Sequence, residues 1–251
     1  MSRFNIETRG IDSWRERLAD PVTQWVRGYS AFEAAVSWEL AAKSASGLPT
    51  SISAVLARAG YGESHLLLGV AEHNVSLEGQ GHDSQCDLWA LLQTSNGMVS
   101  LSVEAKANEP FGEGHQSLQT WLDSGKSLNS KPNRLKRWQH VQRMLPISGV
   151  AGYGEVAFQL LHRCATAVIE AERFNLKHAI FIVQAFKSPS TSYNEFVKLC
   201  TAIGIDSGKG HLHMTNVGNI SLGVAWVDFP IATDNQLSRL IPKGRKKKPS
   251  E

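Results

Sequence analysis

Cysteine is scarce: Cys86, Cys164 and Cys200 are the only ones in 251 residues, far apart and without a CxxC pair. So sparse and odd a count excludes a disulfide framework and the usual zinc-binding spacings. Net charge is also small: a formal +3 is too little to mark a nucleic-acid binder by itself. The first residues, Met1–Arg9, carry charge and no apolar centre, so they do not read as a secretory leader. No uninterrupted apolar run approaches the ~20 residues that cross a bilayer. GxxxxGK[ST], GxSxG and HExxH are all missing, which removes the P-loop, hydrolase-elbow and zincin readings. Gly204–Gly210 is glycine-rich but lacks P-loop spacing and reads as a turn. The expectation is a reduced, cytoplasmic protein with no membrane segment.

What is present fits a globular chain with enough apolar residues for a sizeable core. A single domain is expected over residues 1–242. A basic tail follows at 243–251, containing Lys243, Arg245, Lys246, Lys247 and Lys248; it reads equally as a phosphate-binding extension or a solvated, disordered end. Ser30 and Glu33 have capping-box spacing and open a helix to about Lys43. A second helix is expected over Ser51–Arg58. Strands are expected at His65–Ala71, Gln85–Gln93 and Met98–Ala107, and residues 108–132 form a long polar loop. Helices at Asn133–Met144 and Gly154–Phe174, a strand at His178–Phe186, a helix at Ser192–Ala202 and a strand at Ile220–Phe229 follow. The order α-β-β-β-α-β, antiparallel strands first and helix-linked ones after, indicates an α/β fold with a mixed central sheet flanked by helices.

One strand carries the chemistry. In Met98–Ala107, Ser100, Ser102, Glu104 and Lys106 alternate with Val99, Leu101, Val103 and Ala105, so Glu104 and Lys106 project from one face. Asn96-Gly97 is a strong two-residue hairpin turn. It pairs Asp87 with Lys106 and Trp89 with Glu104, leaving Asp87 diagonal to Glu104 on the same face, about 7–8 Å away. A slip of one residue would turn Asp87 to the other side. Two carboxylates and the Ala105 backbone carbonyl make an open oxygen site suited to Mg²⁺ or Mn²⁺. Lys106 beside it would hold a water or stabilise charge on phosphoryl oxygens. Taken alone, a Glu and a Lys two apart on a strand are a common solvated pair; the same-face Asp87 and the element order favour the site.

Asp87 followed by Glu104-Ala105-Lys106 resembles the D…(D/E)xK signature of the PD-(D/E)XK nuclease superfamily, whose core also has the order α-β-β-β-α-β. The resemblance covers residues 30–186. Segments Ser84–Ala90, Val103–Gly112 and Gln159–Arg163 are similar to a bacterial branch of that superfamily with no known substrate. Cys86 stands where many members have proline. The resemblance implies a restriction-endonuclease-like fold and Mg²⁺-dependent phosphodiester hydrolysis in nucleic acid, DNA before RNA, with Asp87, Glu104 and Lys106 as catalytic residues. It also implies a further acid from the first helix. Glu39 faces inward with Phe32, Ala35 and Val36 and is the first candidate; Glu72, ending the first strand, is the second.

Gln159 and Arg163 lie one turn apart on the helix after the motif strand and would contact the scissile phosphate or a base; the plainer reading pairs Arg163 with Glu155. In the long loop, Glu109 and His115 read as solvent-exposed, and Trp121 as packing the loop down rather than stacking on a base. The rival reading is a catalytically silent nuclease-fold protein that binds nucleic acid or a protein partner. A homodimer fits double-strand cleavage, although no segment identifies an interface.

Overall fold

A computed structural model describes residues 10–125, 129–146 and 152–240; the basic tail expected at 243–251 lies outside the described residues, as does the side chain of His115. Two short helices, α1 (Asp12–Arg15) and α2 (Pro21–Gln24), lead into α3 (Ser30–Ala41) and α4 (Thr50–Leu56). Strands β1 (His65–Val75), β2 (Ser84–Thr94) and β3 (Gly97–Lys106) follow. Helices α5 (Leu118–Asp123), α6 (Ser130–Arg143) and α7 (Phe158–Arg173) separate β3 from β4 (His178–Phe186). Then come α8 (Ser190–Ala202), β5 (His213–Val217), β6 (Ile220–Phe229) and α9 (Asp234–Leu240).

The six strands form one mixed sheet in the order β1-β2-β3-β4-β6-β5. β1, β2 and β3 are antiparallel; β3-β4 and β4-β6 are parallel; β5 returns antiparallel to β6. The parallel step requires a long crossover, and the three helices between β3 and β4 supply it. The α/β class, the mixed sheet and its flanking helices are therefore as expected.

Each face of the sheet has its own core. On one, α7 and α8 cover Phe181, Val183 and Trp226; on the other, α3 and α4 cover Leu101, Ile180 and Ile182. The Ser100–Lys106 face of β3, which looks polar in sequence, is not solvated. Ser100, Ser102, Glu104 and Lys106 are all buried, and the Ser102 hydroxyl donates to the Arg163 carbonyl of α7 at 3.2 Å. On the far face, α3 is fixed to β4 by Gln184. Its Oε1 accepts from Trp38 Nε1 at 3.0 Å and its Nε2 donates to Ser37 Oγ at 3.1 Å, so a buried amide is satisfied at both ends.

All three cysteines are free and buried. Burial pushes all three thiols up, Cys200 to about 12.

Several local expectations need correction. The residue capping α3 is Tyr29, not Ser30, and it makes no side-chain cap. Glu33 does work at the helix start, but by accepting from the Gly28 and Ala232 backbone N–H groups at 2.8 and 2.7 Å. The loop at 108–132 contains α5, packed down through Trp121, whose ring stacks on Phe158 at 3.7 Å. β5 was not expected, although Gly218-Asn219 links it to β6 by a two-residue turn with Gly218 at φ 55°.

The hairpin register also differs. Thr94 pairs with Gly97, so the turn residues are Ser95 and Asn96. A turn centred on Asn96-Gly97 would need positive φ at both. Asn96 does not adopt it, and only Gly97, at φ 99°, does. The left-handed residue thus follows the turn instead of sitting inside it, and every pair shifts by two: Trp89 lies opposite Ser102, not Glu104. A shift of two preserves the faces.

Candidate functional site

Continuing the β2–β3 register one residue past Leu88–Val103 sets Asp87 directly opposite Glu104 rather than diagonal to it. The β1–β2 register likewise sets Glu72 opposite Asp87, between the pairs Ala71–Leu88 and His73–Cys86. Three carboxylates therefore lie in a row across three strands. The row coincides with an irregularity in the sheet. Glu72 has φ 51°, rare for a residue with a side chain. Ser84 faces α7, bonding His162 Nδ1 at 2.7 Å and Thr166 Oγ1 at 3.1 Å, whereas Leu88 faces the α3–α4 core. Residues four apart on a regular strand share a face, so the alternation of β2 inverts between them. Breaks of this kind re-aim side chains next to functional sites.

Asp87, Glu104, Lys106, Gln159 and Arg163 line a single cavity of about 420 Å³, together with Glu72 and Glu109. Glu104 is held at both oxygens, by Lys106 Nζ on Oε1 and Arg163 Nε on Oε2, each at 2.9 Å. Arg163 therefore pairs with Glu104 and not with Glu155; its Nη1 also donates to Ser84 Oγ at 3.0 Å. Asp87 Oδ2 accepts the Ala105 backbone N–H at 2.5 Å. A strand residue's N–H and C=O point to the same side, so the Ala105 carbonyl is directed toward β2 as well. Gln159 Oε1 accepts from Gly112 N at 2.6 Å and ties the loop after β3 to α7. Lys106 lies over the Phe111 ring, 5.2 Å from its centre.

Glu39 does not line this cavity. Its Oε1 accepts from Trp14 Nε1 at 2.9 Å, because an inward-facing helical carboxylate takes whichever donor the neighbouring segment offers, and here that is α1. Glu72 does line the cavity, with Oε2 accepting from Gln85 Nε2 at 3.0 Å. Glu109, expected in solvent, has both carboxylate oxygens buried there without a hydrogen-bond partner among the described residues. Its spacing gave no sign of this, since the position depends on how the loop folds back.

The electrostatics follow from crowding. Burial, then the Glu104 charge, raise Asp87 to about 7 against the pull of Lys106, the Ala105 N–H and Arg163. Burial, with Asp87 and Glu104 nearby, pushes Glu72 well above the carboxylate range. Burial also works against ionised Glu104, but Lys106 and Arg163 outweigh it and hold the group below its usual value. Lys106 stays charged for the reciprocal reason: Glu104 and Asp87 overcome its desolvation.

The family model described as "Domain of unknown function (DUF6946)" matches residues 7–230. The chain belongs to the DUF6946 family. No curated protein and no solved structure matches it. In this DUF6946 chain the matched span contains every residue that lines the cavity.

The lining holds four carboxylates against two cations, and crowding keeps Glu72 and Asp87 from ionising freely; one divalent ion would offset the charge of all four. The orphaned oxygens of Glu109 fit the same reading, because a buried carboxylate without a partner is costly. As they stand, the carboxylates are not gathered for coordination: among the described residues no group of three or more His, Cys, Asp or Glu is close enough to hold a metal ion. Also among the described residues, no helix is long and apolar enough to cross a membrane.

Proposed function

We propose that this chain is a Mg²⁺- or Mn²⁺-dependent phosphodiesterase acting on nucleic acid, with a restriction-endonuclease-like core and with Asp87, Glu104 and Lys106 as its catalytic residues. The reading rests on one observation: Asp87 and Glu104 occupy opposed positions on adjacent strands, with Lys106 next along the same face, in a cavity lined by four carboxylates and two cationic side chains.

Asp87, Glu104 and the Ala105 carbonyl would hold the cation, with Glu109 in the place expected of Glu39. When bound, such an ion supplies Lewis acidity and charge neutralisation at a phosphate. The chain supplies orientation. Lys106 Nζ has three donors and gives one to Glu104 Oε1, leaving others for a phosphoryl oxygen. Arg163 and Gln159, one turn apart on α7, border the place a flanking phosphate would take. The buried walls strengthen each of these interactions relative to water.

The Glu109 assignment gives a specific expectation. Glu109→Gln weakens Mn²⁺ binding by about tenfold or more, a loss reached even by removing a group that only supports a ligand, whereas Glu39→Gln leaves it unchanged. Isothermal titration with Mn²⁺ measures both, and equal isotherms for Glu109→Gln and wild type would remove Glu109 from the ligand set.

A second reading has its own support. Both Glu104 oxygens are already satisfied by Lys106 and Arg163, an arrangement that is stable without a cation and suits a protein that binds nucleic acid or a protein partner without cutting. Incubation with supercoiled plasmid and with single-stranded DNA separates the two. Cleavage that needs Mg²⁺ or Mn²⁺ and stops with chelator is the expected result, while retention of DNA with no cleavage in either metal favours the silent protein.

A further inference from the structure

Helix α6 contains five Lys or Arg residues and no Asp or Glu. Like charges this close repel and lower helix stability unless something offsets them. Among the described residues only Arg143 of these is ion-paired, with Glu78. Arg134 donates to the Trp121 carbonyl and to Ser124 Oγ, and Arg137 to the His82 carbonyl. These neutral acceptors fix the guanidinium groups without cancelling their charge. Lys131 and Lys136 are exposed and have no ion-pair or hydrogen-bond partner among the described residues. The other acids around the helix are few. Asp83 acts on Arg137 from nearby, Glu172 acts on His140, and Asp123 accepts from Gln119.

The helix is tied to the cavity rim at two points. Trp121 stacks on Phe158, at 3.7 Å, and has the Arg134 guanidinium 5.2 Å from its ring centre, and Phe158 immediately precedes the cavity residue Gln159. On the other side, Arg137 holds His82, three residues before the cavity residue Gln85. The exposed arc of α6 carries Lys131, Leu135, Lys136 and Gln139. One leucine on that arc is too little apolar surface for a membrane-lying helix.

We propose that the outer face of α6 is the track along which a nucleic-acid backbone runs past the cavity, with Lys131 and Lys136 as phosphate contacts. The inference rests on the phosphodiesterase reading and extends it to residues outside the cavity. A long substrate needs positive charge beyond the scissile bond, and backbone contacts of this kind set affinity without reading sequence.

The test compares wild type, the double variant Lys131→Gln/Lys136→Gln, and Lys177→Gln, an exposed lysine just before β4. Fluorescence anisotropy with labelled DNA and RNA oligomers of one sequence, in Ca²⁺ to suppress cleavage, gives affinity across a salt series. The double variant is expected to bind about tenfold more weakly at low salt, with the log–log salt slope shallower by about 1–2, the share of two phosphates. Lys177→Gln is expected to match wild type. Hydrolysis of a nitrophenyl ester of a mononucleotide, too short to reach α6, is expected to be unchanged, while KM for long nucleic acid rises and kcat holds. Slopes equal to wild type on both oligomers, or an equal loss in Lys177→Gln, overturn the inference; if Asp87→Asn still abolishes cleavage, the active-site reading survives. Wild type that neither retains nor cleaves nucleic acid overturns both.

Discussion

Asp87→Asn and Lys106→Ala are each expected to lower Mg²⁺-dependent cleavage by at least about 100-fold while leaving the fold intact. The figure corresponds to losing one preorganised charge at a phosphoryl transition state. The two variants should fail differently. Asp87 is a proposed cation ligand, so part of the loss in Asp87→Asn should return at high Mn²⁺ concentration. Lys106 acts on the phosphate, and no metal concentration should rescue Lys106→Ala. Lys106→Arg should recover little, since a planar guanidinium does not fit where an ammonium sits between Glu104 and the Phe111 ring. Gel assays of plasmid cleavage across a Mn²⁺ series decide the matter. If both variants cleave like wild type, the catalytic assignment is wrong.

The second large effect is on stability. The folded pKa of Asp87, about 7, lies above its ordinary value of 3.8. A carboxyl raised on folding is tolerated when protonated and costs stability when ionised. The cost is absent below pH 4, grows as pH rises toward 7 and is complete above it. Metal-free wild type should therefore lose stability between about pH 4 and pH 7. Asp87→Asn removes the buried charge and should be more stable than wild type at pH 8 by on the order of 1–3 kcal/mol, or about 3–8 °C in Tm. That advantage should shrink as pH falls toward 4. Added Mg²⁺ should stabilise wild type and not the variant. Thermal melts at several pH values with chelator or Mg²⁺ provide the check, and a variant less stable than wild type at pH 8 would contradict the charge argument.

Much of this architecture is legible in sequence because it depends on short-range pattern. β4 and β6 appear at the bounds that their apolar runs indicate, and the α-β-β-β-α-β order follows from alternation and helix spacing. The hairpin turn lies one residue before Asn96-Gly97 and the pairing shifts by two, since Asn-Gly serves two turn geometries and sequence does not say which one the strands accept. Parity rescued the site: Asp87 stays on the Glu104 side. What could not be read depends on tertiary contact. Glu39 met Trp14 through the placement of a four-residue helix, and Glu109 was carried into the cavity by a loop whose anchors, Phe111 and the Gly112–Gln159 bond, lie on other segments. Glu72 is visible in sequence as the acid ending the first apolar run, although β1 continues past it to Val75. Its partner row is not, because the row arises where the pleat breaks.

The burial of every thiol makes the chain its own reporter. With Cys86 fully enclosed beside Asp87, and Cys164 and Cys200 enclosed in the core that α7 and α8 cover, an alkylating reagent can reach sulfur only when packing opens. Mass spectrometry of the modified peptides then reads two clocks in one molecule. Cys164 and Cys200 time the opening of the helical core, and Cys86 times loosening at the β2 end. A ligand that settles against Asp87 should slow the second clock and spare the first.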